Sequence, residues 1–476
     1  MAQEAQADFQ TIAQCSPPAT TGDGPLNFLD LRWPDQLMGK GLAAPCEQLP
    51  EQIAFFQNVG AKDQVSTPSK DQVLSPTKDQ VVPPAKGPVD DARDHLSALA
   101  DSLVTSKLMK SKDSDRFKAD MAAFESRAGQ AGLDASEVAK TYQNVRQLIE
   151  FSGQGAVDQP GRIKAAEQAL HHAAYPTQID QGRHDTCNVA TVEVRTFMRN
   201  PSAATKLIAD VATTGSFTSA DGTKIAVDAK SLKTDEESSQ NPTPDRERSY
   251  ASQIFQITAA NVYWQRQEAD PAGNYATKGS LRFEQDPSKR GYFTNDTGER
   301  LMAYWSNPPK ELSKGPAMGA SALKDIADQI TGNNDDGFVI ENKIKGGPNT
   351  VQVASEKDLR DALSNIKKAG HLPAIIRVHT GNEPFLSDQG GTLSRSKGVW
   401  HVVSITAFDE QTGKVSIDNQ WGKSSDHQIK ISDLYNATLE PKQNSWQMIH
   451  ESTMPAIHLH WPWSAPLLPE NELWLH

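Results

Sequence analysis

Two short segments, far apart in the chain, contain side chains suited to nucleophilic catalysis. The first segment, DQGRHDTCNVATVEV, contains Cys187, and the second, GVWHVVSITAFDEQTGKVSIDNQWG, contains His401 and Asn419. A cysteine attacks as the thiolate, and a histidine can take up the thiol proton and return it to a leaving group. A third polar group can fix the orientation of the imidazole ring. Together these residue types indicate thiol-mediated acyl transfer.

The sequence around Cys187 predicts a helix that begins at the cysteine and ends before Pro201. A helix N-terminus favours a thiolate, because its exposed N–H groups and dipole stabilise negative charge. Thr186 or Asp185 is the expected cap of this helix. Gln181 precedes the cysteine in a glycine-containing turn, where its amide could donate to the oxyanion together with the Cys187 backbone N–H.

The second segment predicts two strands joined by a hairpin. His401 lies at the start of the strand WHVVSITAF, and the turn DEQTGK leads to the strand VSID, which Asn419 follows. The hairpin should therefore bring His401 and Asn419 together, with Trp421 covering the bond between them. Asp418 is the alternative orienting group, and strand alternation allows only one of the two neighbours to face the histidine.

Both segments resemble the papain family of cysteine peptidases. The sequence YPTQIDQGRHDTCNVATVEV resembles the family's entry to the active-site helix, where proline, Gln-Gly and the catalytic cysteine follow in this order. The sequence Asn-Gln-Trp-Gly at 419–422 resembles the family's Asn-Ser-Trp-Gly signature, with Gln420 in the serine position. The resemblance covers roughly residues 174–465.

The resemblance implies a role for each matching residue. Cys187 would be the nucleophile, His401 the general base and acid, and Asn419 its orienting group. Gln181 would supply the oxyanion donor, and Gly182 and Trp421 would support the site. Asp418 remains the second candidate for orientation, because related bacterial peptidases that process leader peptides use aspartate. The resemblance implies no cofactor and no metal.

The segment also departs from the family where it approaches the cysteine. The family has a Gly-Ser or Gly-Ala pair and a second cysteine beside the nucleophile, followed by an aromatic residue. Here His184, Asp185, Thr186 and Asn188 occupy these places. Asp185 would tend to raise the pKa of the Cys187 thiol, and His184 is expected to offset its charge.

The pattern of elements along the chain predicts an α+β protein. Helical periodicity runs from Val89 to Ala174, with one helix expected to begin near Asp90 and three more over 113–129, 134–151 and 162–174. Further helices are expected at Cys187, over 251–267 and over 355–370. Strands are predicted for PAIIRVHT, WHVVSITAF, KVSID and PAIHLHW. The glycine- and asparagine-rich stretch 268–350 is expected to form loops and short hairpins.

These patterns divide the chain into four parts. KDQVSTPS, KDQVLSPT and KDQVVPPA repeat with too few apolar groups for a core, which predicts an extended linker. The expected parts are a weakly ordered tail (1–60), this linker (61–87), a small helical module (88–160) and a papain-like two-lobed domain (161–476). The N-terminal parts are predicted to serve in inhibition, or in docking to a partner.

Composition excludes several classes of protein. The net charge of −12 argues against a broad nucleic-acid-binding face, and no apolar run reaches the length of a membrane-spanning helix. The start of the chain lacks the features of a cleavable signal, so a cytoplasmic location is the default, with export by another route as the alternative. His458 and His460 are better explained by an alternating strand than by a metal site.

The three cysteines, Cys15, Cys46 and Cys187, are too few for a disulfide scaffold. An odd number leaves at least one thiol free, and that thiol is Cys187 if the other two pair. The predicted function is therefore a cysteine peptidase acting on a protein or peptide substrate. The alternatives are a transglutaminase, deamidase or amidase with the same residues, and an inactive binding module.

Overall fold

The described part of the chain alternates between helices and short strands. The computed structural model describes residues 87–269, 273–291, 296–344, 346–388 and 398–441. The helices are α1 (Pro88–Thr105), α2 (Ser111–Ala131), α3 (Ala135–Glu150), α4 (Gln159–Ala174), α5 (Cys187–Arg199), α6 (Pro201–Thr214), α7 (Tyr250–Trp264), α8 (Ser321–Thr331), α9 (Glu356–Lys368), α10 (Phe385–Asp388) and α11 (Ile431–Ala437). The strands are β1 (Ser216–Thr218), β2 (Lys224–Ala226), β3 (Leu281–Gln285), β4 (Glu299–Ala303), β5 (Lys310–Ser313), β6 (Val339–Asn342), β7 (Val351–Val353), β8 (Ala374–His379), β9 (Trp400–Asp409), β10 (Lys414–Asp418) and β11 (His427–Lys430).

The predicted α+β class is confirmed, and so are the four predicted N-terminal helices. Helix α3 begins where the sequence indicates, because the Asp134 side chain accepts a hydrogen bond from the Glu137 backbone N–H. Helix α2 ends at Gly132, which adopts the left-handed conformation. Helices α1 and α4 pack against α3, α2 packs against α4 and contacts α3 through the Phe124 and Tyr142 rings, and all four share one core cluster.

Six strands form the largest sheet, in the order β11-β10-β9-β8-β6-β7. Strands β8 to β11 are antiparallel, whereas β6 is parallel to both of its neighbours. The predictions for β8, β9 and β10 are confirmed. The predicted strand PAIHLHW, with His458 and His460, lies outside the described residues, as do the predicted tail and almost all of the linker.

The prediction of loops and short hairpins for 268–350 was wrong in part. Strands β3, β4 and β5 do form a hairpin sheet there, but the stretch also contains helix α8 and the fully buried strand β6 of the large sheet. Strand β6 is only four residues long, and parallel pairing with β7 and β8 buries it. A run this short among glycines and asparagines gives almost no periodic signal.

Two central helices, α5 and α7, bring the distant parts of the fold together. Both are buried along nearly their whole length. Helix α5 packs against α6 and α7 on one side and against strand β9 on the other. The first residue of α5 is Cys187, and β9 contains His401, so the fold joins the two segments singled out by the sequence. No helix in the described ranges has the length and apolar character needed to span a membrane.

Candidate active site

The best-defined contact of the site joins His401 and Asn419. The His401 Nε2 atom lies 2.9 Å from the Asn419 Oδ1 atom, and both side chains are buried. The β9–β10 hairpin sets this geometry, since Asp418 pairs with Ser404 and Asn419 follows directly. The structure therefore brings together the histidine and the carboxamide that the sequence paired.

Trp421 covers the histidine. The two rings stack with centroids 4.4 Å apart and an interplanar angle of 23°, and the tryptophan is almost fully buried. Burial lowers the pKa of His401 to about 4, and the hydrogen bond to Asn419 offsets only part of that effect. His401 is therefore neutral at neutral pH in this state. Its Nδ1 atom has no hydrogen-bond partner among the described residues.

Asp418, the alternative orienting group, takes a different position. Its carboxyl accepts a hydrogen bond from the Gln420 side-chain amide at 3.1 Å. Burial and the nearby charges of Asp426 and Asp180 raise the pKa of Asp418 well above its usual value. Of the two neighbours, Asn419 is the one that contacts His401.

Cys187 is the first residue of α5 and is buried, and in this structure it takes part in a disulfide. This finding excludes, for this structure, the alternative in which Cys15 and Cys46 pair and leave Cys187 as the free thiol. A cysteine in a disulfide has no thiolate and cannot attack a carbonyl. The structure thus represents the oxidised form of the site.

Thr186, one of the two expected caps of the cysteine helix, does not cap it. Thr186 occupies the N-cap position, but its side chain makes no capping bond and instead donates to the Gln256 side chain at 2.7 Å. The bond to α7 is available because both residues are buried at the α5–α7 interface. The Thr186 hydroxyl therefore accepts no hydrogen bond from the free backbone N–H groups of the first turn of α5.

Gln181 connects the cysteine loop to the asparagine loop. Its backbone N–H donates to the Gln420 carbonyl at 3.0 Å, and its side-chain amide donates to the His184 carbonyl at 2.6 Å. This holds Gln181 between the two segments of the site. The sequence predicts an oxyanion role for Gln181 but neither of these two contacts.

At two positions of the site, neighbouring side chains come so close to the backbone that only glycine fits. Gly182 has φ +63°, and a Cβ atom there would lie 1.9 Å from a Glu237 carboxylate oxygen. Gly422 has φ +101°, and a Cβ atom there would lie 2.4 Å from the Arg246 side chain. Any other residue would strain the backbone and displace these neighbours. The predicted supporting role of Gly182 thus has a steric basis.

The offset of the Asp185 charge by His184 stays a prediction, and the partners of His184 in the structure are other carboxylates. His184 is fully buried and lies between two carboxylates, with Nε2 3.1 Å from Asp235 and Nδ1 3.0 Å from Glu299. Burial and the Arg248 guanidinium lower the pKa of His184, but these carboxylates outweigh both and raise it to about 9. His184 is therefore a cation that holds the cysteine loop on β4.

The sequence did not single out the other members of this buried ionic cluster. Arg248 donates to Glu299 at 3.0 Å and to the Gln285 side chain at 2.6 Å. These residues come from stretches that have no motif, and only the three-dimensional fold brings them beneath His184. A second pair that the sequence missed, Asp388 and His427, lies beside Asn419.

Metal binding has no support in the described ranges, where no group of three or more histidine, cysteine or acidic side chains is arranged to hold an ion.

No family model matches this chain, and no curated protein or solved structure is significantly similar to it.

Proposed function

We propose that this protein is a cysteine peptidase with a papain-like arrangement of its active site. The observation that carries the proposal is the buried His401–Asn419 pair beneath Trp421, with a histidine Nδ1 atom that has no partner in the described chain. The helix that begins at Cys187 packs against the strand that contains His401. The resemblance of both segments to the papain family supports the same reading.

The proposed reaction begins with transfer of the Cys187 thiol proton to His401 Nδ1. The thiolate sulfur then attacks the substrate carbonyl carbon, and the peptide C–N bond breaks as the imidazolium returns its proton to the departing amine. Water, deprotonated by His401, attacks the resulting thioester. Cleavage of the C–S bond then releases the carboxylic acid and restores the thiol.

The developing oxyanion needs donors that are already in place. The Cys187 backbone N–H at the start of α5 is one, and the Gln181 side-chain amide, held in the loop before the cysteine, is the other. Neutral His401 suits the role of base, since a protonated imidazole could not accept the thiol proton.

Reduction of the Cys187 disulfide is a necessary first step in this proposal. A dithiol reductant would be oxidised to its own disulfide while Cys187 and its partner cysteine become thiols. The protein should therefore be inactive as oxidised and active after reduction.

The experiment that tests the proposal measures cleavage of a fluorescent protein substrate with and without a dithiol. Wild-type protein should gain activity on reduction, and Cys187→Ala and His401→Ala should each lose at least about 1000-fold in kcat/KM. The double variant Cys15→Ala/Cys46→Ala has Cys187 as its only cysteine. It should be active without any reductant.

Product mass distinguishes this reaction from the related alternatives. Fragments indicate hydrolysis of the peptide bond, whereas an intact substrate heavier by about one dalton indicates deamidation. Full activity of the reduced Cys187→Ala variant would overturn the proposal.

A further inference from the structure

A carboxylate lies behind the Asn419 amide, on the side away from the catalytic histidine. Asp388 Oδ2 is 3.4 Å from Asn419 Nδ2 and 2.9 Å from His427 Nε2. The Asp388 side chain is only 8% exposed and that of His427 is 20% exposed. The four side chains His401, Asn419, Asp388 and His427 thus form a continuous chain of polar contacts.

This series of polar contacts determines the orientation of the Asn419 amide. A carboxamide has a donating nitrogen and an accepting oxygen, whereas an ionised carboxylate only accepts. The Asp388 carboxylate therefore selects the amide orientation in which the nitrogen faces it. The amide oxygen then faces His401, as the 2.9 Å contact with Nε2 requires.

The orientation of the amide in turn sets the tautomer of His401. An oxygen acceptor at Nε2 requires that Nε2 carries the hydrogen, which leaves the lone pair on Nδ1. That is the tautomer able to take a proton from a thiol at Nδ1. With Asn419 turned over, its nitrogen would face Nε2 and favour the opposite tautomer.

The surrounding elements hold Asp388 and His427 in place. Asp388 ends helix α10, whose first residue, Phe385, is fully buried and contacts the His427 ring edge-to-face at 6.1 Å. His427 begins strand β11 and pairs with Ile417 on β10, close to Asn419. The Asn419 backbone N–H is fixed separately, by the Asp426 carboxylate at 3.0 Å.

We propose that Asp388 and His427 are positioning residues that fix the Asn419 amide and, through it, the reactive tautomer of His401. This inference deepens the proposed function and rests on it, because the tautomer matters only if His401 acts as the base. The Asp388 carboxylate accepts hydrogen bonds from Asn419 Nδ2 and His427 Nε2. The bond from His427 holds the carboxylate in the orientation that Asn419 requires.

The test compares kinetics and histidine tautomers in the full-length, reduced protein. Asp388→Asn keeps the shape but can present a donor to Asn419, so kcat should fall about 10- to 100-fold while KM changes less than about twofold. Asp433→Asn removes an exposed carboxylate elsewhere and should leave both constants unchanged.

The two His427 variants test the second positioning residue. His427→Phe keeps an aromatic ring against Phe385 but cannot donate a hydrogen bond to Asp388, so kcat should fall. His427→Gln can still donate this hydrogen bond and should retain most of the wild-type kcat.

Nitrogen NMR of histidine-labelled protein separates the positioning role from a structural one. In wild type, His401 should carry its hydrogen on Nε2, and in Asp388→Asn a second population with the hydrogen on Nδ1 should appear. Wild-type kcat and an unchanged tautomer in this variant would overturn the inference while leaving the proposed function intact. If the variant does not fold, the contrast between His427→Phe and His427→Gln decides in its place. A wild type without hydrolytic activity would instead overturn the proposed function, and the tautomer measurement would still test the positioning.

Discussion

At the scale of single residues, the site is built around a histidine that is neutral in the oxidised protein. His401 is fully buried, its pKa is lowered to about 4, and its side chain makes one hydrogen bond among the described residues, to Asn419. A thiolate beside Nδ1 would stabilise the imidazolium by opposite charge. Reduction of Cys187 should therefore favour the ion pair that the proposed mechanism uses.

Asp418 provides a prediction on stability at this scale. The pKa of Asp418 is raised in the folded protein, so the unfolded chain releases this proton first as pH rises. The free energy of unfolding therefore falls as pH rises from the ordinary pKa of an aspartate to the raised value, and it stays lowered above that value. Asp418→Asn removes that cost. We expect the variant to unfold at a higher temperature than wild type near pH 7 and to show no such gain near pH 3, by calorimetry across pH. A variant less stable than wild type at both pH values would contradict this.

The spatial grouping of the candidate site residues could be predicted from the sequence because each half of the site is local. Asn419 and Trp421 follow His401 across one hairpin, and Gln181 and Gly182 lie a few residues before Cys187. Asp388 and His427 could not be predicted, since nothing in a lone aspartate after Phe-Leu-Ser marks it as a neighbour of Asn419. The oxidation state of Cys187 was equally hidden from the spacing of three cysteines.

At the scale of elements, helix α5 is the part that the rest of the fold holds in place. Arg195 near its C-terminus donates to the carbonyls of His371 and Pro373 just before β8, and Glu193 accepts from Ser252 on α7 at 2.8 Å. These bonds tie the cysteine helix to both the sheet and the neighbouring helix. Its N-terminus should therefore keep a fixed position relative to β9.

The ionic cluster beneath His184 gives a prediction for the cysteine loop. A pKa raised from 6.5 to about 9 corresponds to about 3 kcal/mol of stability, which is fully present below pH 6.5 and lost as pH rises through 9. His184→Gln should remove this contribution. Chemical denaturation at a series of pH values should show the difference between wild type and variant shrinking from pH 6 to pH 10. A difference that stays constant with pH would contradict the assignment.

Sequence patterns described the long elements better than the short ones. The strands β9 and β10 and the helix α9, capped by Ser355, have strong signals and form as expected. The sheet β3–β4–β5 and strand β6 were missed or only loosely anticipated, because each is short and its stability depends on distant partners. One consequence is that Glu299 and Gln285, which hold His184 and Arg248, could not be found in advance.

At the scale of the whole molecule, the described residues belong to one compact unit with two clusters of buried apolar side chains. The larger cluster extends from the N-terminal helices to Val402 on β9, next to His401. The net charge of −12 shows no bias toward an anionic partner. Under the proposed function, the site is a buried acyl-transfer centre whose thiol must first be released from a disulfide.

The measurement that tests this account most directly is the pH dependence of thiol alkylation in the reduced protein, mapped to each cysteine by mass spectrometry. An epoxysuccinyl probe should label Cys187 rapidly below pH 7, label Cys15 and Cys46 slowly, and lose this preference in His401→Ala. That result would establish a thiolate activated by His401. Labelling of Cys187 no faster than the other two cysteines, or unchanged by His401→Ala, would contradict the account.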